Sequence, residues 1–132
     1  SYAMQIPMIK SLNVLVADDS LITVKKLTGM LEELGHKVVH TAGTGSEALR
    51  AYRQYRPDLV TMDITMPDMD GIEATRQIIL EFPDAKVIMV TSHGQEKMVL
   101  DALDAGAEGY VLKPVRRDKL AETLDKIIVR MA

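Results

Sequence analysis

Five short apolar runs punctuate the chain, and between them the apolar positions shift to a spacing of about 3.6 residues. The runs are "LNVLVA" (12–17), "KVVHTA" (37–42), "DLVTM" (58–62), "KVIMVT" (86–91) and "GYVLK" (109–113). They are rich in Val and Ile, and most are too apolar to leave one face in water, so they read as strands covered by helices on both sides. The stretches between them read as helices. Val24, Leu27, Leu31 and Leu34 fall on one stripe closed by Gly35, and Ala48, Leu49 and Tyr52 mark a second helix that ends before Pro57. Ile72, Ile78, Ile79 and Phe82 mark a third, stopped by Pro83, and residues 95–105 form a fourth. Leu120, Leu124, Ile127, Ile128 and Met131 give a fifth its buried face.

Strand followed by helix, repeated with short connections, requires right-handed crossovers and produces a parallel sheet with helices on both faces. The expected fold is therefore α/β: a single-domain, doubly wound (βα)5 sandwich. For five strands the flavodoxin-like arrangement gives the order 2-1-3-4-5.

With 132 residues, 47% hydrophobic and 27% charged, the chain has the size of one domain with one core. "SYA" before Met4 reads as a leftover of an expression vector, so residues 1–10 are taken as scar and lead-in and 11–132 as the domain. Net charge is −3 with both signs interspersed, which argues against direct nucleic-acid contact. The absence of cysteine excludes disulfides, thiol nucleophiles and thiolate zinc sites. No apolar run approaches the ~20 residues that span a bilayer, so membrane insertion is not expected, and the chain reads as soluble and cytoplasmic.

Open parallel sheets bind ligands beyond the carboxyl ends of their strands, at the point where the winding reverses. Here that point lies between strands one and three. Asp18 and Asp19 follow the first strand, Asp63 the third, Thr91 and Ser92 close the fourth, and Lys113 ends the fifth. Any one of these could merely cap a helix; four strands delivering them to one edge is a pattern. Two carboxylates ~5 Å apart repel by about 3 kcal/mol at an effective dielectric near 20, so three must hold a proton or recruit a cation. All-oxygen ligands select a hard divalent ion, and partly hydrated Mg²⁺ on a few carboxylates accompanies phosphate chemistry. A lysine ammonium at the same rim suits a phosphoryl oxygen, so the chemistry inferred is phosphoryl transfer.

In these residues the chain resembles the receiver domains of response regulators, the phosphoacceptors of bacterial two-component signalling. The resemblance runs from about residue 11 to 131 and rests on Asp18 and Asp19 in "VADDS", Asp63 in "MDITMPDMDG", Thr91 in "VTS" and Lys113-Pro114 in "YVLKP". It implies that Asp63 takes phosphate from a sensor histidine kinase or a phosphotransfer protein and becomes an acyl phosphate. It implies Mg²⁺, with Mn²⁺ as an alternative, on Asp19, Asp63 and the main-chain carbonyl of Thr65, with Asp18 acting through a water. Lys113, the Thr91 hydroxyl and Ser92 would support the phosphoryl group, and the bond before Pro114 would be cis. Thr91 and Tyr110 would form a switch that rearranges the face made by the fourth helix, fifth strand and fifth helix. Thr65 and His93 stand where the family tunes hydrolysis of the acyl phosphate. Such a domain catalyses only its own phosphorylation and dephosphorylation and is not an enzyme acting on an external substrate. "MDITMP" and "GQEKMVLDAL" resemble stand-alone chemotaxis regulators, whose output is direct binding to a protein such as a flagellar motor switch component.

Competing readings are weaker. The alternative within the family is a receiver belonging to a longer regulator with a DNA-binding or enzymatic half. "GTGSEA" (43–48) fits G-x-G-x-x-A, with Asp63 twenty residues beyond Gly43, but a dinucleotide site there leaves Asp18, Asp19 and Lys113 without purpose. A tight turn with Thr44 or Ser46 capping the second helix suffices. An EF-hand register puts Met66 and Gln77 at ligand positions. An aspartyl-phosphate hydrolase would want D-x-D after the first strand, where "ADDS" stands. His36 and His40 read as partly buried and not as ligands. Within "DITMPDMDG", Asp70 with Glu73 resembles a capping box, and Asp68 reads as a turn residue forming local hydrogen bonds.

Overall fold

The computed structural model describes residues 10–131; the "SYA" leader, the rest of 1–9 and Ala132 lie outside the described residues. Strands β1 (Asn13–Ala17), β2 (Lys37–Ala42), β3 (Leu59–Met62), β4 (Val87–Thr91) and β5 (Gly109–Leu112) alternate with helices α1 (Leu21–Glu33), α2 (Gly45–Tyr55), α3 (Gly71–Glu81), α4 (Glu96–Asp104) and α5 (Arg117–Met131). All pairings are parallel, in the order β2-β1-β3-β4-β5. The fold is the one the alternation predicts.

Alternation along each strand feeds two separate apolar layers. Val14, Val16, Leu59, Ile88, Val90 and Val111 meet Leu27 and Leu31 of α1 and Leu120, Leu124 and Ile127 of α5. Leu15, Ala17, Val60, Met62, Val87 and Met89 point the other way, toward Ala48 and Tyr52 of α2, Ala74 and Ile78 of α3 and Ala102 of α4. Strands buried on both faces explain why β1, β3 and β4 read as unbroken apolar runs. The edge strand β2 departs from that pattern, since Thr41 and His40 are exposed. His40 is thus on the surface, where its ring stacks on Tyr55 at 4.6 Å, and is not partly buried as its place in an apolar run suggests.

Helix ends follow local chemistry. Ser20, Thr44 and Asp70 cap α1, α2 and α3 by accepting from the amides of Thr23, Glu47 and Glu73. Asp70 caps without the reciprocal half of a capping box, because the Glu73 carboxylate turns to Arg76 instead. Gly35 ends α1 at φ 90°, a conformation that L side chains resist.

His36, directly after that turn, is buried and its Nδ1 accepts a hydrogen bond from the Leu12 amide at 3.1 Å. An imidazole accepting at Nδ1 must be neutral there, and burial pushes its pKa below the ordinary value, with Asp125 opposing. Above the unfolded histidine range both states are neutral; as pH falls below it, the unfolded chain takes up a proton that the folded chain refuses. Stability is therefore expected to fall from about pH 6.5 downward. Urea denaturation at stepped pH should show a steeper decline in the wild type than in His36→Asn, which keeps an acceptor for Leu12 but cannot titrate.

Candidate functional site

The site is built where β1 and β3 lie side by side. Their register places Ala17 opposite Met62, so the next residues, Asp18 and Asp63, leave the sheet together. Main-chain bonds fix both: the Asp63 amide donates to the Ala17 carbonyl and the Asp18 amide to the Ala42 carbonyl, each at 2.8 Å. Asp18 and Asp63 are buried and Asp19 is exposed, and one oxygen from each of the three carboxylates lies within 4.8 Å of the others. β5 contributes Lys113, whose Nζ stands 2.9 Å from Asp18 Oδ2 and 3.5 Å from Asp63 Oδ2.

Two carboxylates are aimed by their own neighbours. Asp18 Oδ1 accepts from the Ser20 amide at 2.8 Å, and Asp63 Oδ1 from the Ile64 amide at 2.9 Å, which turns the second oxygen of each toward Lys113. Burial, then the charge of Asp18, pushes the Asp63 carboxyl above the ordinary range, while Lys113 and the Ile64 amide pull it back. Asp18 Oδ2 is fully buried, and Lys113 Nζ at 2.9 Å is its partner among the described residues. Three carboxylates that offer oxygens within 4.8 Å of one another, with one lysine to balance them, are the donor set of a hard, oxygen-seeking cation.

The other predicted residues line the same edge. Thr91 ends β4 fully buried, and its Oγ1 accepts from the His93 amide at 3.1 Å; Ser92 follows, exposed. The Tyr110 hydroxyl donates to the His93 carbonyl at 2.5 Å, and the His93 ring Nε2 lies 2.9 Å from Thr65 Oγ1. His93 is thus a junction between Thr91, Tyr110 and the loop after β3. No sequence signal gives that junction, because its three bonds join segments 17 to 28 residues apart or depend on one loop's turn. The Lys113–Pro114 peptide bond is cis. Asp68 and Asp70 stand apart from the cluster: Asp70 caps α3, and Asp68 holds a left-handed turn at φ 66°. The Asp68 carboxylate makes no hydrogen bond among the described residues, so its part in the turn is conformational, not the local bonding expected.

Residues 14–125 match the family described as the response regulator receiver domain. The chain is 41% identical over 115 residues to the chemotaxis protein CheY of Listeria monocytogenes, a match covering 87% of this chain and 97% of that one. Among solved structures it is similar to the CheX–CheY–BeF3–Mg²⁺ complex of Borrelia burgdorferi, with TM-score 0.85 and 38% identity over 97% of this chain and 94% of that one. It is similar also to a LuxR-family two-component response regulator from Aurantimonas sp. SI85-9A1, with TM-score 0.86 and 34% identity over 91% and 86% of the two chains. An edge of three carboxylates and one lysine, on a parallel sheet in this order and with relatives of this kind, makes the chain a member of the response regulator receiver domain family, a signalling family and not one of conventional enzymes.

Proposed function

We propose that residues 11–132 form a phosphoacceptor unit in which Asp63 is phosphorylated by a sensor histidine kinase or a phosphotransfer protein in the cytoplasm. The observation that carries the reading is the convergence of buried Asp63 on Asp18, Asp19 and Lys113. No helix among the described residues is long and apolar enough to cross a membrane. Asp19, Asp63 and the Thr65 carbonyl, with Asp18 through a water, are the residues that would hold Mg²⁺ or Mn²⁺. The ion supplies positive charge against which phosphoryl oxygens are stabilised. Asp63 Oδ attacks phosphorus, the bond to the donor nitrogen breaks, and the imidazole leaves as the acyl phosphate forms. Lys113 offers a fixed ammonium at 3.5 Å from Asp63, and Thr91 and Ser92 offer hydroxyls, to the three oxygens of the transferred group. Hydrolysis by water returns the carboxylate, so the domain catalyses both halves of its own cycle.

The signal leaves through His93. A phosphoryl oxygen that draws the Thr91 hydroxyl toward it as a donor moves the oxygen that accepts from the His93 amide, and the same residue's carbonyl holds Tyr110. Helix α4, next along the chain, is lightly anchored: Gln95 gives it no side-chain cap, and Leu100 and Leu103 are exposed. Phosphorylation thus selects among arrangements of α4, β5 and α5. Exposed Leu112 and a cleft of about 460 Å³ lined by Tyr110, Lys113, Arg116 and Lys119 occupy that face. Its partner is a protein target such as a flagellar motor switch component, the output of a stand-alone chemotaxis regulator. Similarity to the LuxR-family regulator supports a second reading, in which the same switch drives a further output half.

Incubation with acetyl phosphate and Mg²⁺ should add one phosphate mass to the intact protein, with no gain in Asp63→Asn and none when Mg²⁺ is chelated. An equal gain in the variant would place the chemistry elsewhere.

Asp63→Asn also tests the electrostatics. Because burial, then the charge of Asp18, holds the Asp63 carboxyl above its ordinary range, its ionisation imposes a stability penalty that is absent in acid and fully present above the raised value. At pH 7 without divalent ions the variant is expected to be more stable, on the order of 1 kcal/mol, the size of a typical single-site change. Mg²⁺ should raise the unfolding midpoint of the wild type more than that of the variant, closing the gap.

A further inference from the structure

The glycine motif "GTGSEA" belongs to no step of phosphoryl transfer, yet it follows Ala42, whose carbonyl holds the Asp18 amide, and packs at Gly45 against Met69 in the loop after β3. Gly45 opens α2 and is buried. A Cβ placed on it would stand 2.0 Å from the carbonyl oxygen of Met69 and 2.7 Å from that carbonyl's carbon. Both atoms are main chain, so no rotamer change relieves the overlap. Gly45 does not have a positive φ; what the position demands is space, not conformational freedom.

We propose that Gly45 is a positioning residue: the turn from β2 into α2 sets the distance between the two arms of the acidic site. The proposal rests on the phosphoacceptor reading above. One arm carries Asp18, whose amide is held by the carbonyl of Ala42 at the end of β2. The other is the loop from Asp63 to Asp70, which contains Thr65 and meets Gly45 at Met69. That loop has little slack. Its start is bonded to Ala17, and its end returns on itself, with the Gly71 amide donating to the Ile64 carbonyl at 2.7 Å. Gly71 in turn leaves no room for a Cβ, which would stand 1.8 Å from the Asp63 carbonyl oxygen. The bracing turn is itself stiff: Thr44 Oγ1 accepts from the Glu47 amide, and the Glu47 carboxylate accepts from the Gly43 amide, both at 3.0 Å. A methyl group at Gly45 must therefore move the loop by about 1 Å, and a misplacement of that size costs up to ~10²-fold where several groups act together.

The test compares Gly45→Ala with two glycine variants in the full chain. Gly43→Ala lies in the same turn but meets only the Glu47 carboxylate, at 4.0 Å. Gly35→Ala, at φ 90° on the opposite end of the sheet, loses thermal stability through backbone strain alone. Mg²⁺ affinity by calorimetry and the rate of phosphorylation by acetyl phosphate at saturating Mg²⁺ are the readouts. Gly45→Ala is expected to weaken Mg²⁺ binding and slow phosphorylation by about tenfold or more, while the two other variants stay within about twofold of wild type. Gly45→Ala that binds and reacts as Gly35→Ala does, at comparable thermal loss, overturns the proposal. A wild type that neither binds Mg²⁺ nor accepts phosphate overturns the functional reading first and this one with it. Should Gly45→Ala not fold, amide NMR of the wild type decides. Mg²⁺ must then shift the Gly45 and Ser46 amides together with those of Thr65 to Met69, and silence at Gly45 and Ser46 refutes the coupling.

Discussion

Like charge held at short range is the constraint on which the site depends. Three carboxylates whose oxygens gather within 4.8 Å repel one another, and the fold forces them together because β1 and β3 are adjacent and in register. Lys113 answers part of that repulsion from the end of β5, and burial, together with the remaining repulsion from Asp18, holds the Asp63 pKa above its ordinary value. The two apolar layers that sandwich the sheet supply the stability that tolerates it, with Leu15, Leu59, Met62 and Ile88 all fully buried beneath the charged edge. Such strain at a site, offset elsewhere, is a common pattern where a protein must bind a cation or transfer a charged group.

Rigidity and freedom are divided along the same edge. The carboxylates sit on main-chain bonds from Ala17 and Ala42, and the loop after β3 is closed by Gly71 on Ile64. Across the cleft, the side chains of Thr91 and Tyr110 both bond to one loop residue, His93, and the helix that follows buries a single residue, Ala102. Asp63 therefore stands between fixed carboxylates on one side and a lightly anchored element on the other.

Much of this was legible in the chain. Alternating apolar layers in Val14 to Ala17 and Val87 to Thr91, and the stripe Leu120, Leu124, Ile127, are local periodicities that survive folding because burial is what selected them. Strand ends marked by Asp18, Asp63, Thr91 and Lys113 announced the edge on which chemistry would assemble. Less was legible where contacts join distant segments. His40 lies in a run that reads as interior, yet β2 is an edge strand and the His40 ring lies exposed, stacked on Tyr55. Thr65 and His93 were singled out by resemblance, while their mutual bond depends on two loops meeting over the cleft. The motif at Gly43 to Ala48 fits the spacing of a dinucleotide fingerprint and reads more simply as a capping turn, and spacing alone does not reveal what its glycines face.

The sequence by itself determined the class of fold and the set of charged residues at the carboxyl edge, and the strand order followed by analogy with flavodoxin-like five-stranded sheets. Periodicity and strand ends are properties of neighbours along the chain. Tertiary structure alone decided which oxygen of Asp18 faces Lys113, that Lys113 lies closer to Asp18 than to Asp63, and that Gly45 leaves room for a main-chain carbonyl. Each of these is a distance between groups far apart in the chain, set by how the strands and the first turns of the helices pack, and packing at ångström resolution is written in no local pattern.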